Sequence, residues 1–205
     1  MTPTEKIRKW QRGMQDAVVR RNPRLGLAAR AEFFVRLFEE HLPPGSRVLD
    51  IGGGWGFYAE PLERRGHRLT VLDVVKPGFQ KAPVVVYDGC RIPFPDKSFD
   101  ASLLVTVLHH ISDPEAVIRE ARRVTRGILV VVEDVYRHWL GRIWTQVRDR
   151  ILNFEYFGHP LQFRKKEEWV ELFTRRGFSL LKESEAITRL AGFRILNSVL
   201  IFKTN

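Results

Sequence analysis

Short apolar runs alternate with amphipathic segments along most of the chain. The runs predict strands buried on both faces, because a continuous apolar stretch of this length leaves no polar side for solvent. They span 48–51, 68–73, 84–87, 99–107 and 128–133. Helical spacing of apolar residues occurs over 28–42, 57–65 and 114–124. Strands that alternate with helices are typical of a parallel α/β sheet with right-handed crossovers.

The pattern changes at two places. Residues 74–83, between the second and third strands, contain Pro77, Gly78 and Pro83 and are too few for a crossover helix, so we expect a loop or a single turn. Beyond the fifth strand, the spacing predicts helices over 136–152 and 166–176, with the irregular aromatic stretch 153–163 between them. Two last strands, 178–183 and 193–202, predict an antiparallel hairpin at one edge of the sheet.

Length and composition are those of one globular domain, with 205 residues and 44% apolar residues. No apolar run approaches the roughly 20 residues of a membrane span, and the first residues lack the apolar core of a secretory signal. Cys90 is the only cysteine, which excludes an internal disulfide and a cysteine-built zinc site. We therefore expect a cytoplasmic protein without a metal.

The charge is less ordinary. The net charge is +10, and the first thirty residues hold eight basic and two acidic residues, which is six of those ten positive charges. This basic N-terminus is either a solvated helix face or a contact for nucleic acid, for an anionic membrane surface or for an acidic substrate. The sequence leaves these alternatives open.

The strongest local signal is the segment VLDIGGGWG at 48–56, a strand that runs into a glycine loop and then a helix. Such a loop lies at the carboxyl edge of a parallel sheet, where ligands bind. The third glycine of a dinucleotide fingerprint would fall at Phe57, and the Gly-Lys-Ser/Thr end of a phosphate loop is absent. The spacing therefore disfavours a pyrophosphate ligand.

Acidic residues end the next two strands. Asp73 lies nineteen residues after Gly54 and can accept hydrogen bonds from both ribose hydroxyls. Asp88, together with Gly89 and Cys90, can form hydrogen bonds with the amino group and ring nitrogens of an adenine. This combination of a glycine loop, an acceptor for the ribose hydroxyls and a contact for the adenine includes no group specific for phosphate. It therefore fits S-adenosylmethionine, which has a ribose and an adenine but no phosphate.

Five segments together resemble the class I S-adenosylmethionine-dependent methyltransferases, and the chain is most similar to the group that includes ubiquinone- and menaquinone-biosynthesis-type enzymes. They are VLDIGGGWG at 48–56, LTVLDV at 69–74, DGCRIPFPDKSFD at 88–100, VLHHISDPEAVIREARRV at 107–124 and GILVVVED at 127–134. The resemblance implies a Rossmann-like α/β fold. Its seven-stranded, mostly parallel sheet would have the order 3-2-1-4-5-7-6, with the last strand antiparallel and helices on both faces.

The resemblance also implies roles for single residues. Around the methionine end of the cofactor would lie Asp50, Gly52, Gly54 and Gly56, and Asp73 would bind the ribose. The adenine would be contacted by Val74, Asp88, Gly89 and Cys90. The sulfonium side would be lined by Val105 and Thr106. The product would be S-adenosyl-L-homocysteine. The alternative for Asp50 is an acid that braces the loop, and for Asp73 and Asp88 it is a turn residue at a strand end.

Methyl transfer from a sulfonium is an in-line displacement that needs a general base only where the acceptor must lose a proton. His109 and His110 follow the fourth strand and are the candidate catalytic residues, of which at most one should face the cofactor. The alternative for each is packing and capping of the next turn. Glu133 and Asp134 end the fifth strand and either orient an acceptor or cap the following element.

Residues 135–163 are the expected cover of the acceptor. Tyr136, Trp139, Tyr156 and His159 would contribute to an aromatic wall for a small hydrophobic or aromatic molecule. For the stripe that contains Trp139 and Trp144, the alternatives are packing on the sheet and docking on an anionic lipid surface.

The whole chain is expected to form one methyltransferase domain. It divides into a basic helical extension (1–44), a cofactor-binding half (45–134), a substrate cover (135–165) and a C-terminal helix with two strands (166–205). Two other functions stay open at this point. The positive charge also fits an RNA or protein methyltransferase, and the motifs alone also fit a cofactor-binding protein without turnover.

Overall fold

Seven strands form one sheet in the computed structural model, which describes residues 3–22, 25–153 and 161–204. The strands are β1 (Arg47–Ile51), β2 (Arg68–Asp73), β3 (Val84–Val86), β4 (Phe99–Val105), β5 (Thr125–Asp134), β6 (Phe178–Leu190) and β7 (Phe193–Thr204). Their order is β3-β2-β1-β4-β5-β7-β6. Strands β1 to β5 pair in parallel, and β7 is antiparallel to both of its neighbours. The order implied by the resemblance is confirmed.

The helices are α1 (Pro3–Arg21), α2 (Leu27–Phe38), α3 (Ala59–Glu63), α4 (Pro114–Val124), α5 (Trp139–Asn153) and α6 (Lys166–Arg175). Short 3-10 turns follow α2 at Glu39–His41 and β4 at Leu108–His110. None of the helices in the described ranges combines the length and apolarity that a membrane span requires.

The core is divided between the two faces of the sheet because side chains along each strand alternate in direction. In β1, Leu49 and Ile51 pack with α4 and α6, whereas Val48 packs with α2 and α3. Helix α2 buries Phe34 and Phe38 completely. It is therefore part of the core, and the segment 1–44 contributes more than a charged arm.

Helix α3 and strand β6 differ clearly in length from the sequence expectation. Helix α3 has only five residues because the glycine turns occupy the chain before it and Gly66, with φ of 83°, lies just beyond its end. Strand β6 continues to Leu190 instead of ending near 183, and its outer residues alternate in exposure. Ala191 and Gly192, both with positive φ, make the tight connection to β7. Between β2 and β3 there is no helix, as expected.

Candidate cofactor and acceptor site

The glycine loop packs tightly against its surroundings on one side and opens on the other. A Cβ added to Gly52, whose φ is 74°, would lie 2.3 Å from Cγ2 of Val107, so the segment after β4 touches the loop directly. A Cβ added to Gly54, whose φ is 52°, would meet nothing within 4 Å. The loop therefore needs glycine for its backbone shape and offers open space at Gly54.

The amides of the loop are largely used within the protein. The N–H groups of Gly52 and Gly53 both donate to the carbonyl oxygen of Leu72, at 2.8 and 3.2 Å. Gly56 N donates to Gly53 O at 2.9 Å, and Gly54 N donates to Asp73 Oδ2 at 2.9 Å. A phosphate site at a helix N-terminus depends on amides that are left for the ligand. The engaged amides support the expectation of a ligand without a phosphate.

Asp73 joins the glycine loop to the loop after β2. Its Oδ2 accepts from Gly54 N, and its Oδ1 accepts from Val75 N at 3.1 Å. Each carboxylate oxygen can accept a further hydrogen bond, so the arrangement leaves capacity for two vicinal hydroxyls. Burial raises the pKa of Asp73, and the backbone hydrogen bonds and the positive charge of Arg12 offset part of this rise.

Asp50 is a fully buried acid beneath the loop. Its Oδ2 has no hydrogen-bond partner among the described residues, and a Cβ on Gly53 would lie 2.4 Å from it. Burial, together with the negative charge of Asp73, raises the pKa of Asp50 to about 7. A buried carboxyl without a counter-ion is expensive to ionise. The position therefore fits a cationic ligand such as the sulfonium and ammonium end of S-adenosylmethionine.

The residues expected around the adenine form the rim of the same cleft. Val74 is more than half exposed, and a Cβ on Gly89 would lie 3.2 Å from Cγ1 of Val74. Asp88 Oδ1 accepts from Cys90 N at 2.8 Å and from Arg91 N at 3.1 Å, and these bonds lower the pKa of Asp88. Asp88 thus closes a turn, and its contact with adenine stays a prediction.

Helix α1 lies across the loops that carry these residues. Asp16 Oδ1 accepts from the indole Nε1 of Trp55 at 2.8 Å, and Asp16 Oδ2 accepts from Gly78 N at 2.7 Å. This contact was not predicted, because the segment reads as a basic arm in the sequence. The available signal was an acid, Asp16, in an otherwise basic stretch.

One carboxylate organises the turn after β4. Oε1 of Glu133 accepts from Val107 N at 3.0 Å and from Leu108 N at 2.8 Å, and its Oε2 lies 2.5 Å from Nδ1 of His109. Thr106, where β4 has just ended, has a φ of 49° and donates its N–H to Val132 O. Glu133 thus braces the turn after β4, a role that differs from both alternatives left open for it, orienting an acceptor and capping the element after β5.

The two histidines differ in environment. His109 is buried, stacks on Phe163 with a centroid distance of 4.4 Å, and has Nε2 at 3.6 Å from Asp149 Oδ1. Burial alone would lower its pKa, but the carboxylates of Glu133 and Asp149 outweigh burial and raise the pKa of His109 to about 10. An imidazolium at neutral pH cannot accept a proton. His110 retains 22% side-chain exposure, with Nε2 at 3.9 Å from Asp149 Oδ2.

A second polar network lies at the end of β5. Asp134 forms a buried ion pair with Arg148 of α5, and Arg30 of α2 lies 3.4 Å from the same carboxylate. Asn197 donates its amide to Asp134 Oδ1 at 2.6 Å and accepts from Thr188 Oγ1 at 2.7 Å. The network ties α2, α5 and the β6–β7 hairpin to the site edge. Sequence reasoning missed it because its members are far apart in the chain.

Two residues of the expected acceptor wall, Tyr136 and Trp139, lie in the described part of the chain. Trp139 is 69% exposed on the outer side of α5, and Tyr136 is partly buried. Tyr156 and His159 lie outside the described residues. The inward face of α5 carries Thr145, Arg148 and Asp149 instead, all buried. The apolar stripe is therefore largely exposed, and its described contact with the sheet is that of the Trp144 ring, whose centroid lies 6.1 Å from that of Phe193 in β7.

Comparison with known families agrees with this geometry. Residues 49–131, from β1 into β5, match a family described as a methyltransferase domain. The segment 49–131 therefore carries the cofactor-binding part of an S-adenosylmethionine-dependent methyltransferase domain. This conclusion confirms the family and the cofactor that the sequence motifs indicate.

Several curated proteins are similar to this methyltransferase domain. An uncharacterized protein of Methanocaldococcus jannaschii is 27% identical over 156 residues, which is 75% of this chain and 74% of that protein. Demethylmenaquinone methyltransferase of Renibacterium salmoninarum is 35% identical over 126 residues, 52% of this chain and 53% of that enzyme. A chloroplastic 2-methyl-6-phytyl-1,4-hydroquinone methyltransferase of Oryza sativa is 28% identical and is covered over 40% of its length. The chain thus spans about half or less of the two named enzymes.

Solved structures share the fold of the methyltransferase domain. An S-adenosylmethionine-dependent methyltransferase of Thermotoga maritima has a TM-score of 0.67 at 21% identity, with 93% of this chain and 98% of that chain covered. The [4+2]-cyclase SpnF has a TM-score of 0.66 at 20% identity, with 84% and 80% covered. A cyclase among the neighbours shows that the fold alone does not decide the reaction.

Proposed function

We propose that this protein transfers the methyl group of S-adenosylmethionine to a small hydrophobic acceptor that carries a hydroxyl. The observation that carries the proposal is the pairing of Asp50 and Asp73 around a glycine loop whose amides are already engaged. Such a site favours a cationic nucleoside over a phosphate ligand. The histidine turn lies beside it, because Val107 packs on Gly52.

The cofactor supplies an electrophilic methyl group on a neutral leaving group. The sulfur–carbon bond breaks as the acceptor oxygen forms its bond to the methyl carbon, and the hydroxyl proton must leave. His110 takes this proton in our proposal, since His109 already holds one between two carboxylates. His109 and Glu133 position the turn that presents His110.

In this proposal, Asp50 with the three positive-φ glycines Gly52, Gly54 and Gly56 surrounds the methionine end, and Asp73 binds the ribose. Val74 and the Asp88 turn, with Gly89 and Cys90, contact the adenine, and Val105 and Thr106 line the sulfonium. The partial exposure of Val74 and Thr106 supports this assignment, because a ligand needs accessible atoms.

The names of the two quinone-type relatives support an apolar aromatic acceptor. The hydroquinone in one of these names carries phenolic hydroxyls. The inward face of α5 adds a carboxylate near His110, since Asp149 Oδ2 lies 3.9 Å from Nε2 of His110. We propose that Asp149 orients the hydroxyl end and that Tyr136, Tyr156 and His159 belong to the apolar cover, whereas Trp139 lies on the outer side of α5.

A second candidate function is methylation of RNA. It is supported by the net positive charge and specifically by basic residues of α1 such as Arg12 and Arg20. The same residues would also suit an anionic membrane surface, and a cytoplasmic location with such peripheral contact is part of the proposal. A single domain over 1–205 is likewise proposed, supported by the burial of α2 in the core.

The deciding experiment offers labelled S-adenosylmethionine to the protein with demethylated quinols, simple phenols, RNA and a protein extract as separate acceptors. We expect label in the quinol or phenol fraction. At subsaturating cofactor, Asp73→Asn should transfer less label, and Glu185→Gln, which changes an exposed acid paired to Arg137, is the matched active control. Transfer to RNA alone would replace the proposal by the second candidate. Cofactor binding without transfer to any acceptor would favour a silent binding protein.

A further inference from the structure

Helix α5 is amphipathic, but its polar face is buried and its apolar face is exposed. Its buried side chains are polar, namely Thr145, Arg148 and Asp149. Its exposed side chains are large and apolar, each between 42% and 69% exposed: Trp139, Leu140, Ile143, Trp144, Val147 and Ile151. A surface helix of a soluble domain normally turns its apolar stripe to the core. A contiguous exposed apolar stripe marks an interaction surface.

The orientation of α5 is fixed by its buried charges. Arg148 pairs with Asp134, which Asn197 also contacts, and Asp149 lies within 4 Å of both histidines of the turn after β4. Rotating α5 to hide its apolar stripe would break these interactions and leave buried charges without partners, which costs several kcal/mol. The stripe therefore faces outward in the folded protein.

The charge beside the stripe is positive. Arg137, Arg142 and Arg150 are exposed in this segment, and its one acid, Asp149, is buried. Arg137 is paired with Glu185, which leaves Arg142 and Arg150 as the charges next to the apolar residues. Tryptophan and aliphatic residues bordered by arginines are typical of helices that lie in an anionic lipid interface. Trp139 and Trp144 are suited to the headgroup level.

A second copy of the chain fits this surface less well. In a two-fold dimer through α5, the same patch would face itself. The arginines of both copies would then share one interface, with no exposed acid from the helix to compensate them. An anionic lipid surface satisfies the apolar residues and the arginines together.

The position of α5 connects this surface to the proposed acceptor site. Asp149 approaches His110 from the inner side of the same helix whose outer side carries the stripe. We propose that the outward face of α5 docks on the surface of an anionic phospholipid membrane, so that the acceptor opening lies next to the lipid. Docking itself does not depend on turnover, whereas its use in taking up a membrane-dissolved acceptor rests on the proposed function.

The test is flotation of the full chain with phosphatidylcholine vesicles, with and without phosphatidylglycerol. We expect at least about tenfold stronger partition to the anionic vesicles, with a blue shift of tryptophan fluorescence. The double variant Ile143→Glu/Val147→Glu should lower partition about tenfold or more, because it places two charges in the buried stripe. Ile187→Glu, an equally exposed apolar position on β6, is the matched control and should bind like the natural chain. Arg142→Gln/Arg150→Gln should reduce the preference for anionic lipid.

Two parallel measurements separate docking from function. Calorimetric binding of S-adenosylmethionine and transfer to a detergent-dispersed acceptor should persist in Ile143→Glu/Val147→Glu, which shows that the variant is folded. Equal vesicle partition of the natural chain and this variant would overturn the proposal. The proposal would also be overturned if the natural chain bound neither kind of vesicle. This includes the outcome in which light scattering shows that the natural chain is a dimer and that the variant is not. Docking that persists while no acceptor is methylated would overturn only the proposed function.

Discussion

Nδ1 of His109 lies 2.5 Å from Oε2 of Glu133, and both side chains are buried. The other oxygen of Glu133 receives the amides of Val107 and Leu108. A single carboxylate from β5 therefore fixes both the backbone of the turn after β4 and the first histidine of that turn. His110 follows His109 in this turn, so its position depends on Glu133, although Glu133 lies at the end of β5 and His110 lies after β4.

The first prediction concerns the ion pair itself. Replacing Glu133 by Gln keeps the shape but removes the charge, so the variant should be about 3 kcal/mol less stable than the natural chain at neutral pH. The pKa of His109 in the folded protein is raised from 6.5 to about 10. Its contribution to stability is thus fully present below pH 6.5 and is lost as the pH rises to about 10.

Urea unfolding at about pH 7 and about pH 10 measures this difference. The stability gap between the natural chain and Glu133→Gln should narrow at the higher pH, while Glu185→Gln, which removes an exposed acid, should follow the natural chain throughout. A gap of constant size would show that His109 is not held as an imidazolium.

The second prediction concerns His110 as the general base. His110→Gln should lower the transfer rate about 100-fold or more, with unchanged affinity for S-adenosylmethionine. The residual activity should rise with pH as the acceptor hydroxyl ionises on its own. Single-turnover kinetics across a pH series give both quantities, and a variant with natural activity at every pH would remove His110 from the chemistry.

Asp50 leads to a pH-dependent prediction for binding. Its pKa is raised to about 7 by burial and by Asp73, and a cationic cofactor favours the ionised form. Binding should therefore release a proton below about pH 7, and the affinity for S-adenosylmethionine should increase with pH up to that value. Calorimetry in two buffers of different ionisation enthalpy measures the proton release.

Asp50→Asn should bind the cofactor more weakly and lose this proton release. The raised pKa also means that the folded protein holds this proton more tightly than the unfolded chain, so the contribution of Asp50 to stability falls between about pH 4 and pH 7. The stability of Asp50→Asn should lack that fall. Proton release of the same size in the variant would assign the titration to another group.

The fourth prediction concerns helix α1. Asp16 is its described link to Trp55 and Gly78, through two hydrogen bonds. Asp16→Ala should loosen α1 by about 1–2 kcal/mol and speed cofactor dissociation, since the helix covers the loops of the site. Limited proteolysis and stopped-flow fluorescence of Trp55 report the two effects. Protease resistance and dissociation rates equal to those of the natural chain would refute the covering role.

The positions of the strands and the cofactor loop could be predicted from the sequence because their signals are local, whereas the strand order was implied by the resemblance to a family. Val48 to Gly56 combine an apolar run with glycines whose spacing is informative by itself, and the structure shows the positive φ values that require them. Asp73 was predicted to bind the ribose from a count of residues. The structure places it beside the glycine loop, with its Oδ2 2.9 Å from Gly54 N, and its contact with a ribose stays a prediction.

The part of the site at the ends of β4 and β5 could not be predicted, because it is built from pairs of residues that are far apart in the sequence. Nothing in the sequence links Glu133 to His109, or Asp134 to Arg148 and Asn197, before the strands are ordered. The periodicity of α5 indicated an amphipathic helix but not which face is buried. Tertiary ion pairs decided that question against the usual preference for apolar burial.

The most direct measurement of the central claim is calorimetric titration of the purified chain and of Asp73→Asn with S-adenosylmethionine, S-adenosylhomocysteine and NAD. Asp73 receives the amides of Gly54 and Val75 on its two oxygens, and an amide side chain cannot accept on both. The account predicts that the natural chain binds both sulfur nucleosides but not NAD, and that the variant loses about 1–3 kcal/mol of that affinity. Binding of NAD in place of the sulfur nucleosides, or equal affinity of the variant, would contradict it.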